Sequence, residues 1–337
     1  MLTVDDLSPG QQLPASLDVT VTGVERNPAM NRQAHIHLVD GDGTPIRLVD
    51  YQGAEISIDW REGHRYRISR CGVQLGGGGY DLELAPSSLT RIEPLGPATQ
   101  RIQLLVLGDS HVGRKTHPGT GTEINPVEAF VEAVKYGIDQ DISAVVHVGD
   151  IFHESATSFE AQLVDQFVFK RLERANIPFY YIRGNHAASP GDELLTARSG
   201  NPVSHLDTTG TPLGSAVCLF GIDHHAGGNL PWSTLSFPAS VEAPVSILVI
   251  HQTIKQLSGS TPSSVNLGRI QRRYGNQFDA VLCGHHHDSL WTCWRGCEVL
   301  YTGSVERMST NPDPTDRVAW LLTVEDGLID LEQYDIP

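Results

Sequence analysis

The residues of this chain that can do chemistry sit where apolar runs stop. The run 280–283 gives way to Gly284-His285-His286-His287, and two imidazoles one residue apart, His285 and His287, can turn inward and bind a metal as neutral ligands. Four upstream runs end in the same manner. The run 102–107 leads into Gly108-Asp109-Ser110-His111, and 142–146 leads into His147-Val148-Gly149-Asp150-Ile151-Phe152-His153. The run 178–182 leads into Arg183-Gly184-Asn185-His186, and 245–250 ends at His251. In an open α/β sheet, ligands gather beyond the carboxyl ends of the strands, so five such ends bring Asp, Asn and His together. The ligand candidates are Asp109, His111, Asp150, Asn185, His251, His285 and His287. Mixed imidazole, carboxylate and amide oxygen suits manganese, iron or zinc better than calcium or magnesium. Seven ligands are too many for one tetrahedral ion. They suit two divalent ions about 3.5–4 Å apart that share a carboxylate, the arrangement for in-line displacement at phosphorus.

The elements that must position these groups alternate between strand and helix from about residue 101 onward, as in βαβ units. Helices are expected over 126–137, with Phe130, Val131 and Val134 on one face, and over 158–174, with a stripe of Phe159, Leu163, Phe167 and Leu172. Strands return at 297–301, 318–324 and 328–331. Residues 1–95 read as a separate all-β domain of five strands: 17–24, 34–39, 45–49, 65–68 and 80–84. Asp40-Gly41-Asp42-Gly43 supplies a hairpin turn and Gly76 to Gly79 a flexible joint. Five strands at this spacing fit a small closed barrel. Residues 92–98, with two prolines and a glycine, read as the linker to a second domain over 101–337.

Composition narrows the function classes. With 39% hydrophobic and 19% charged residues the 337-residue chain reads as an ordinary soluble protein. No apolar run approaches the ~20 residues of a membrane span, and the start lacks a signal-peptide pattern, so a cytoplasmic location is expected. Five cysteines without a CxxC pair indicate neither a disulfide framework nor a zinc ribbon. A net charge of −16 disfavours a protein that holds nucleic acid chiefly by a global positive field, although local patches and metal ions can still do so.

The ordered set DxH, GDxxH, GNH, a lone His after a strand and GHxH, spanning residues 109–287, resembles the calcineurin-like metallophosphoesterase superfamily. That resemblance implies an α/β fold, a four-layer αββα sandwich. It places Asp109, His111, Asp150 and His287 on one metal and Asp150, Asn185, His251 and His285 on the other, with Asp150 as the bridge. It also implies phosphodiester hydrolysis with His186 protonating the leaving oxygen. Gly149-Asp150-Ile151-Phe152-His153-Glu154-Ser155 looks most like SbcD-type DNA repair nucleases, in which His153 would be a second active-site histidine. The segment 301–307 resembles the part that closes their phosphoesterase domain. By that likeness the activity is a manganese-dependent DNA nuclease, exonuclease or single-strand endonuclease or both, with a repair ATPase or a single-strand-binding protein as partner. Two departures bear on this. Ala187 follows GNH where the family usually has an acid, and the SbcD capping domain and ATPase-binding helices are not matched within these residues.

Residues 1–95 resemble an OB-fold of the replication-protein-A type, through the Asp-Gly hairpin and Trp60-Arg61-Glu62-Gly63-His64. The likeness makes Arg47, Tyr51, Trp60, Tyr66 and Tyr80 candidates for stacking on and contacting single-stranded DNA. Core packing of Trp60 and the tyrosines is the alternative, and eight arginines against thirteen acids in residues 1–98 favour it. Two other functions stay open: a phosphatase or nucleotide phosphodiesterase for a small substrate, and a noncatalytic subunit similar to the small subunit of archaeal D-family polymerases. Among the remaining histidines, His147 reads as packed in its strand and His286 as pointing away from the metals. Asp223-His224-His225 resembles a metal pair, but Ala226-Gly227-Gly228 follows and a surface loop is the favoured reading, while His117 reads as lying in a loop that can line the cleft.

Overall fold

The computed structural model describes all residues except 1, 27–32, 42, 52–57, 59, 78, 98–100, 187–188, 201, 240, 242, 260, 262, 276–277, 309–316 and 326. The chain divides into two compact units, Met1–Ala98 and Thr99–Pro337. Among the described residues no helix is long and apolar enough to cross a membrane.

The first unit is a sheet of seven strands: β1 (Leu17–Arg26), β2 (Gln33–Val39), β3 (Pro45–Tyr51), β4 (His64–Ser69), β5 (Gly72–Leu75), β6 (Leu82–Ala85) and β7 (Arg91–Pro97), in the order β5-β6-β3-β2-β1-β4-β7. Alternating residues such as Val19, Val21, Ile36, Leu38, Ile46, Leu48 and Ile68 point to one shared core, as the two-residue period of a strand requires. The segment expected as a linker is not one. Residues 91–97 pair antiparallel with β4, with a register shift between Arg65 and Tyr66. Edge position explains why a strand tolerates Pro94 and Pro97, since a proline there need not donate to a neighbour. Trp60 and Tyr66, candidates for base stacking or for the core, lie in the core at 8% and 2% exposure with ring centroids 4.7 Å apart. Burying two aromatic rings stabilises a small domain more than exposing them, and neither offers a face to a ligand. Arg47 is bound by Glu83 and by the Gly77 carbonyl, and it lies over the Tyr80 ring at 5.2 Å. Tyr80 Oη lies 2.6 Å from His37 Nδ1. The Tyr51 side chain lies outside the described residues.

The second unit has two six-stranded sheets. One holds β8 (Ile102–Leu107), β9 (Ala144–His147), β10 (Phe179–Tyr181), β11 (Val203–His205), β18 (Val318–Glu325) and β19 (Leu328–Asp335), in the order β11-β10-β9-β8-β18-β19. The other holds β12 (Thr211–Leu213), β13 (Val217–Ile222), β14 (Val245–His251), β15 (Ala280–Gly284), β16 (Ser289–Trp294) and β17 (Cys297–Thr302), in the order β12-β13-β14-β15-β17-β16. Strands β8 to β11 are mutually parallel, as are β13, β14, β15 and β17. These strands are apolar on both faces because both faces are covered. Val106, Val146, Leu219, Ile247, Val249 and Leu282 join a core between the sheets. Outside the first sheet, Leu105 and Val145 pack with Phe130 of helix α1 (Pro126–Asp139) and Val164 of helix α2 (Ser158–Val164). Outside the second, Leu248 and Val281 pack with Ile270 and Tyr274 on the other side. The result is a four-layer αββα sandwich.

The second expected helix keeps its length but not its face. After α2 the chain makes a π turn over Asp165–Phe169 before continuing as α3 (Lys170–Ala175). The wider turn rotates the residues that follow, which breaks a stripe read at 3.6 residues per turn. Phe159, ahead of the turn, and Phe167, within it, are 67% and 44% exposed, while Val164, Val168, Phe169 and Leu172 are buried. Arg198 pins the turn by donating to Asp165 at 2.6 Å and to Glu173 at 2.9 Å.

The Arg47–Glu83 pair links β3 to β6 and generates a pH prediction. Burial pushes the Glu83 carboxyl up, but hydrogen bonds from Arg47 and Gln74 outweigh it and hold the group below its ordinary 4.5. A depressed carboxyl contributes stability that is present above the ordinary value and lost as pH falls through the folded one. Arg47→Met is expected to speed hydrogen exchange of the β3 and β6 amides at pH 7, with the gap to the parent protein narrowing at pH 3. An equal gap at both values would show that the pair contributes nothing.

Candidate metal centre

The carboxyl ends of β8, β9 and β10 from one sheet and of β14 and β15 from the other carry all seven candidate ligands to one place. Asp109 and His111 follow β8, Asp150 follows β9, and Asn185 and His186 follow β10. His251 ends β14, and His285 and His287 follow β15. The backbone there is forced. Of eight non-glycine residues with positive φ among those described, four are Asp109 (43°), His111 (44°), Asp150 (51°) and His285 (80°). Such conformations cost of order 1–3 kcal/mol each and persist only where the surroundings fix them. Gly184 allows the close approach, since a Cβ there would overlap the Asp150 carboxyl.

The ligand atoms fall into two sets around one oxygen. In the first, His111 Nε2 lies 3.1 Å from His287 Nε2, 3.8 Å from Asp109 Oδ1 and 3.7 Å from Asp150 Oδ2. In the second, His251 Nε2 lies 3.4 Å from the same Asp150 Oδ2 and 3.1 Å from Asn185 Oδ1, which is 2.8 Å from His285 Nδ1. Ligands held about 2.1 Å from a tetrahedral ion are about 3.4 Å from one another, so both sets fit a divalent cation. The tautomers fit as well. His251 Nδ1 donates to the Val148 carbonyl at 2.8 Å and His287 Nδ1 to the Met308 carbonyl at 3.0 Å, leaving each Nε2 lone pair for the centre.

Electrostatics point the same way. Asp109 and Asp150 are 0% and 3% exposed, and among the described residues neither is paired with a lysine or arginine. Burial, with Asp150 beside it, pushes the Asp109 carboxyl up to about 8. Burial drives His111 well below its ordinary value and His285 down to about 4, which favours the neutral, metal-binding form. Two backbone amides aim at the acids: His186 N–H donates to Asp150 Oδ1 at 2.8 Å, and His285 N–H to Asp109 Oδ2 at 3.1 Å.

The other candidates surround this centre. His186 stacks on His153 at 5.0 Å and meets His111 edge-on at 4.9 Å. Among the described residues its Nδ1 makes no hydrogen bond, and the Glu154 carboxylate lies 3.9 Å away. Ala187 lies outside the described residues. A cavity of about 320 Å³ opens beside Asp150 and His186, lined also by Phe152, Tyr181, Arg183 and Leu195. His147 is buried, with Nε2 2.7 Å from Ser110 Oγ, and His286 turns toward Tyr301. His117 accepts from the Gly119 and Thr120 amides, which shapes its own loop. The sequence reading gave Glu154 no role and set His224 aside in favour of a surface loop. His224 is not on a free surface loop: Nδ1 donates to the His251 carbonyl at 3.0 Å, and its ring lies 5.3 Å from that of His285.

A family model described as calcineurin-like phosphoesterase matches residues 102–289, which include every ligand candidate. The chain belongs to that family. This phosphoesterase is 26% identical over 246 residues to the DNA double-strand break repair protein Mre11 of Methanosarcina mazei, covering 71% of the chain and 39% of that relative. It is 26% identical over 204 residues to the Mre11 of Haloferax volcanii, covering 60% and 45%. To the Mre11 of Saccharolobus solfataricus it is 26% identical over 220 residues, covering 63% and 55%. The match thus spans about half the length of these curated relatives, or less.

The clearance at Gly184 gives a test of the phosphoesterase centre. Gly184→Ala is expected to weaken divalent-cation binding by roughly tenfold or more, measured by calorimetry, with the circular dichroism spectrum unchanged. Undiminished binding would mean that Asp150 is not held as a ligand.

Proposed function

We propose that this phosphoesterase is a DNA nuclease of the repair type, working with two divalent cations, manganese first among them. One observation carries the two-cation reading: Asp150 Oδ2 lies between the two histidine sets, 3.7 Å from His111 Nε2 and 3.4 Å from His251 Nε2. On this reading Asp109, His111, Asp150 and His287 hold one ion, and Asp150, Asn185, His251 and His285 the other. When bound, the ions supply an activated water and offset charge on the nonbridging phosphate oxygens.

The remaining work falls to the chain's own groups. His186 holds the proton that the leaving oxygen needs, and its stacking on His153 fixes the plane in which it can deliver it. Asp150 Oδ1 accepts the amide of His186 and so ties the acid's backbone to the shared carboxylate. The similarity to three Mre11 proteins, named for DNA double-strand break repair, supports DNA as substrate; a repair ATPase or single-strand-binding protein as partner is our reading from the motif resemblance alone. We also read the first unit as OB-like. In support, β3 and β6 run parallel, and β4 pairs with β1 while β5 pairs with β6, with Arg70 at φ 53° between them. Taken as one kinked strand, β4 and β5 close the ring. With Trp60 and Tyr66 buried, Arg47 and Tyr80 remain as its candidates for strand contact.

The test is cleavage of labelled single- and double-stranded DNA and RNA with manganese, magnesium and zinc. Manganese-dependent loss of DNA is expected, and His186→Ala should lower the rate by about 10²–10⁴-fold with cations still bound. Hydrolysis of a nitrophenyl phosphodiester without action on any nucleic acid would replace this reading with a small-substrate phosphodiesterase. Cation-loaded protein inert toward every phosphoester would make it a noncatalytic subunit.

A further inference from the structure

We infer that His224 is a ligand of the second cation, which makes that half of the centre a three-imidazole set. The inference rests on the two-cation reading. The candidate ligand atoms of His224, His251 and His285 lie within 4.8 Å of one another, the spread expected of groups that can share an ion. A carbonyl oxygen can only accept, so the 3.0 Å contact from His224 Nδ1 to the His251 carbonyl puts the proton on Nδ1 and leaves the Nε2 lone pair unused. His251 and His287 are fixed in the same way, each by a backbone carbonyl at Nδ1. Three imidazoles around one cleft with the same tautomer and the same kind of anchor share an orientation that packing alone does not require.

The segment that carries His224 is held accordingly. Its N–H donates to the Arg183 carbonyl at 2.9 Å, and the preceding Asp223 accepts the Arg183 N–H and lies 2.8 Å from His205 Nε2. The following His225 carbonyl accepts from Gln252 Nε2 at 3.1 Å. These bonds tie the end of β13 to the segments after β10 and β14, the two that carry Asn185 and His251. A third nitrogen donor also distinguishes the two cations. The first set has two imidazoles and two carboxylates. The second then has three imidazoles with one amide and one carboxylate oxygen, a donor set that raises affinity for zinc or cobalt over manganese.

Cobalt is the probe, because its visible absorption reports the donor set directly and without any turnover. The metal-free full chain is titrated with Co²⁺ and followed by calorimetry and absorption, in the parent and in His224→Ala, His224→Phe and His225→Ala. Two equivalents are expected in the parent. His224→Ala and His224→Phe should keep one of them at parental affinity, bind the other roughly tenfold or more weakly and change its absorption bands, while His225→Ala matches the parent. The phenylalanine retains the ring's packing and removes its donors, so parental affinity and spectrum in His224→Phe would overturn the assignment. Uptake of a single equivalent by the parent would overturn the two-cation reading, and this assignment with it.

Discussion

Two carboxylates buried beside each other, with no lysine or arginine partner among the described residues, are the constraint on which the second unit depends. Asp109 and Asp150 lie at the ends of adjacent parallel strands, out of water, and share contacts to His111 and His251. Moving an uncompensated carboxylate out of water costs several kcal/mol even after the protein relaxes, and two together cost more. The amides of His186 and His285 offset part of this. The carboxylates also draw His251 upward against its complete burial, so the pair is pulling positive charge onto the nearest group able to carry it. A divalent cation meets the same demand without requiring a protonated imidazole.

The two sheets each supply half of the answer. Asp109, His111, Asp150 and Asn185 come from the first, while His251, His285 and His287 come from the second. Neither sheet alone has both the acids and enough imidazoles, so the centre exists only when the sheets pack face to face through the core of Val106, Val146, Ile247 and Leu282. That packing is apolar and non-directional, and it cannot by itself set the depth at which the strand ends meet. Contacts across the seam do that: His251 Nδ1 reaches the Val148 carbonyl between the strand ends, and the His285 amide reaches Asp109. Fold and centre are therefore one problem, and cation binding adds to the stability of the packed sheets.

The convergence of the candidate ligands was legible because their signal is local. Each sits at the end of an apolar run, and the geometry of a parallel sheet does the gathering. What was not legible depends on partners distant in sequence or on small changes of helical winding. His224 precedes a small-residue turn that reads as surface, and the carbonyl that orients it belongs to a residue 27 positions away. Phe159 and Phe167 match a helical stripe but lie on the exposed side, the buried face running instead through Val164, Val168 and Leu172, and no residue type announces the π turn over Asp165–Phe169. Pro94 and Pro97 mark the end of a domain in a periodicity argument. At a sheet edge they cost little, and the strand runs through Pro94 to end at Pro97. Trp60 was open in the sequence: an aromatic residue beside basic ones can face a ligand or the core, and a domain of fewer than 100 residues needs its large side chains for the core.

Under the proposed reading, acidity and substrate appear to conflict, since a chain of net charge −16 should repel a polyanion. The arrangement of the centre resolves the conflict. Two divalent cations would bring four positive charges to a site whose own ligands carry two negative ones, Asp109 and Asp150, the rest being neutral imidazoles and an amide. The attraction that results is confined to a few ångströms, where a scissile phosphate must sit, and decays over about 10 Å at 0.1 M salt. Affinity for DNA then depends on cation loading more than on any basic surface. A phosphodiester is drawn in only where, and only when, the groups that cleave it are complete.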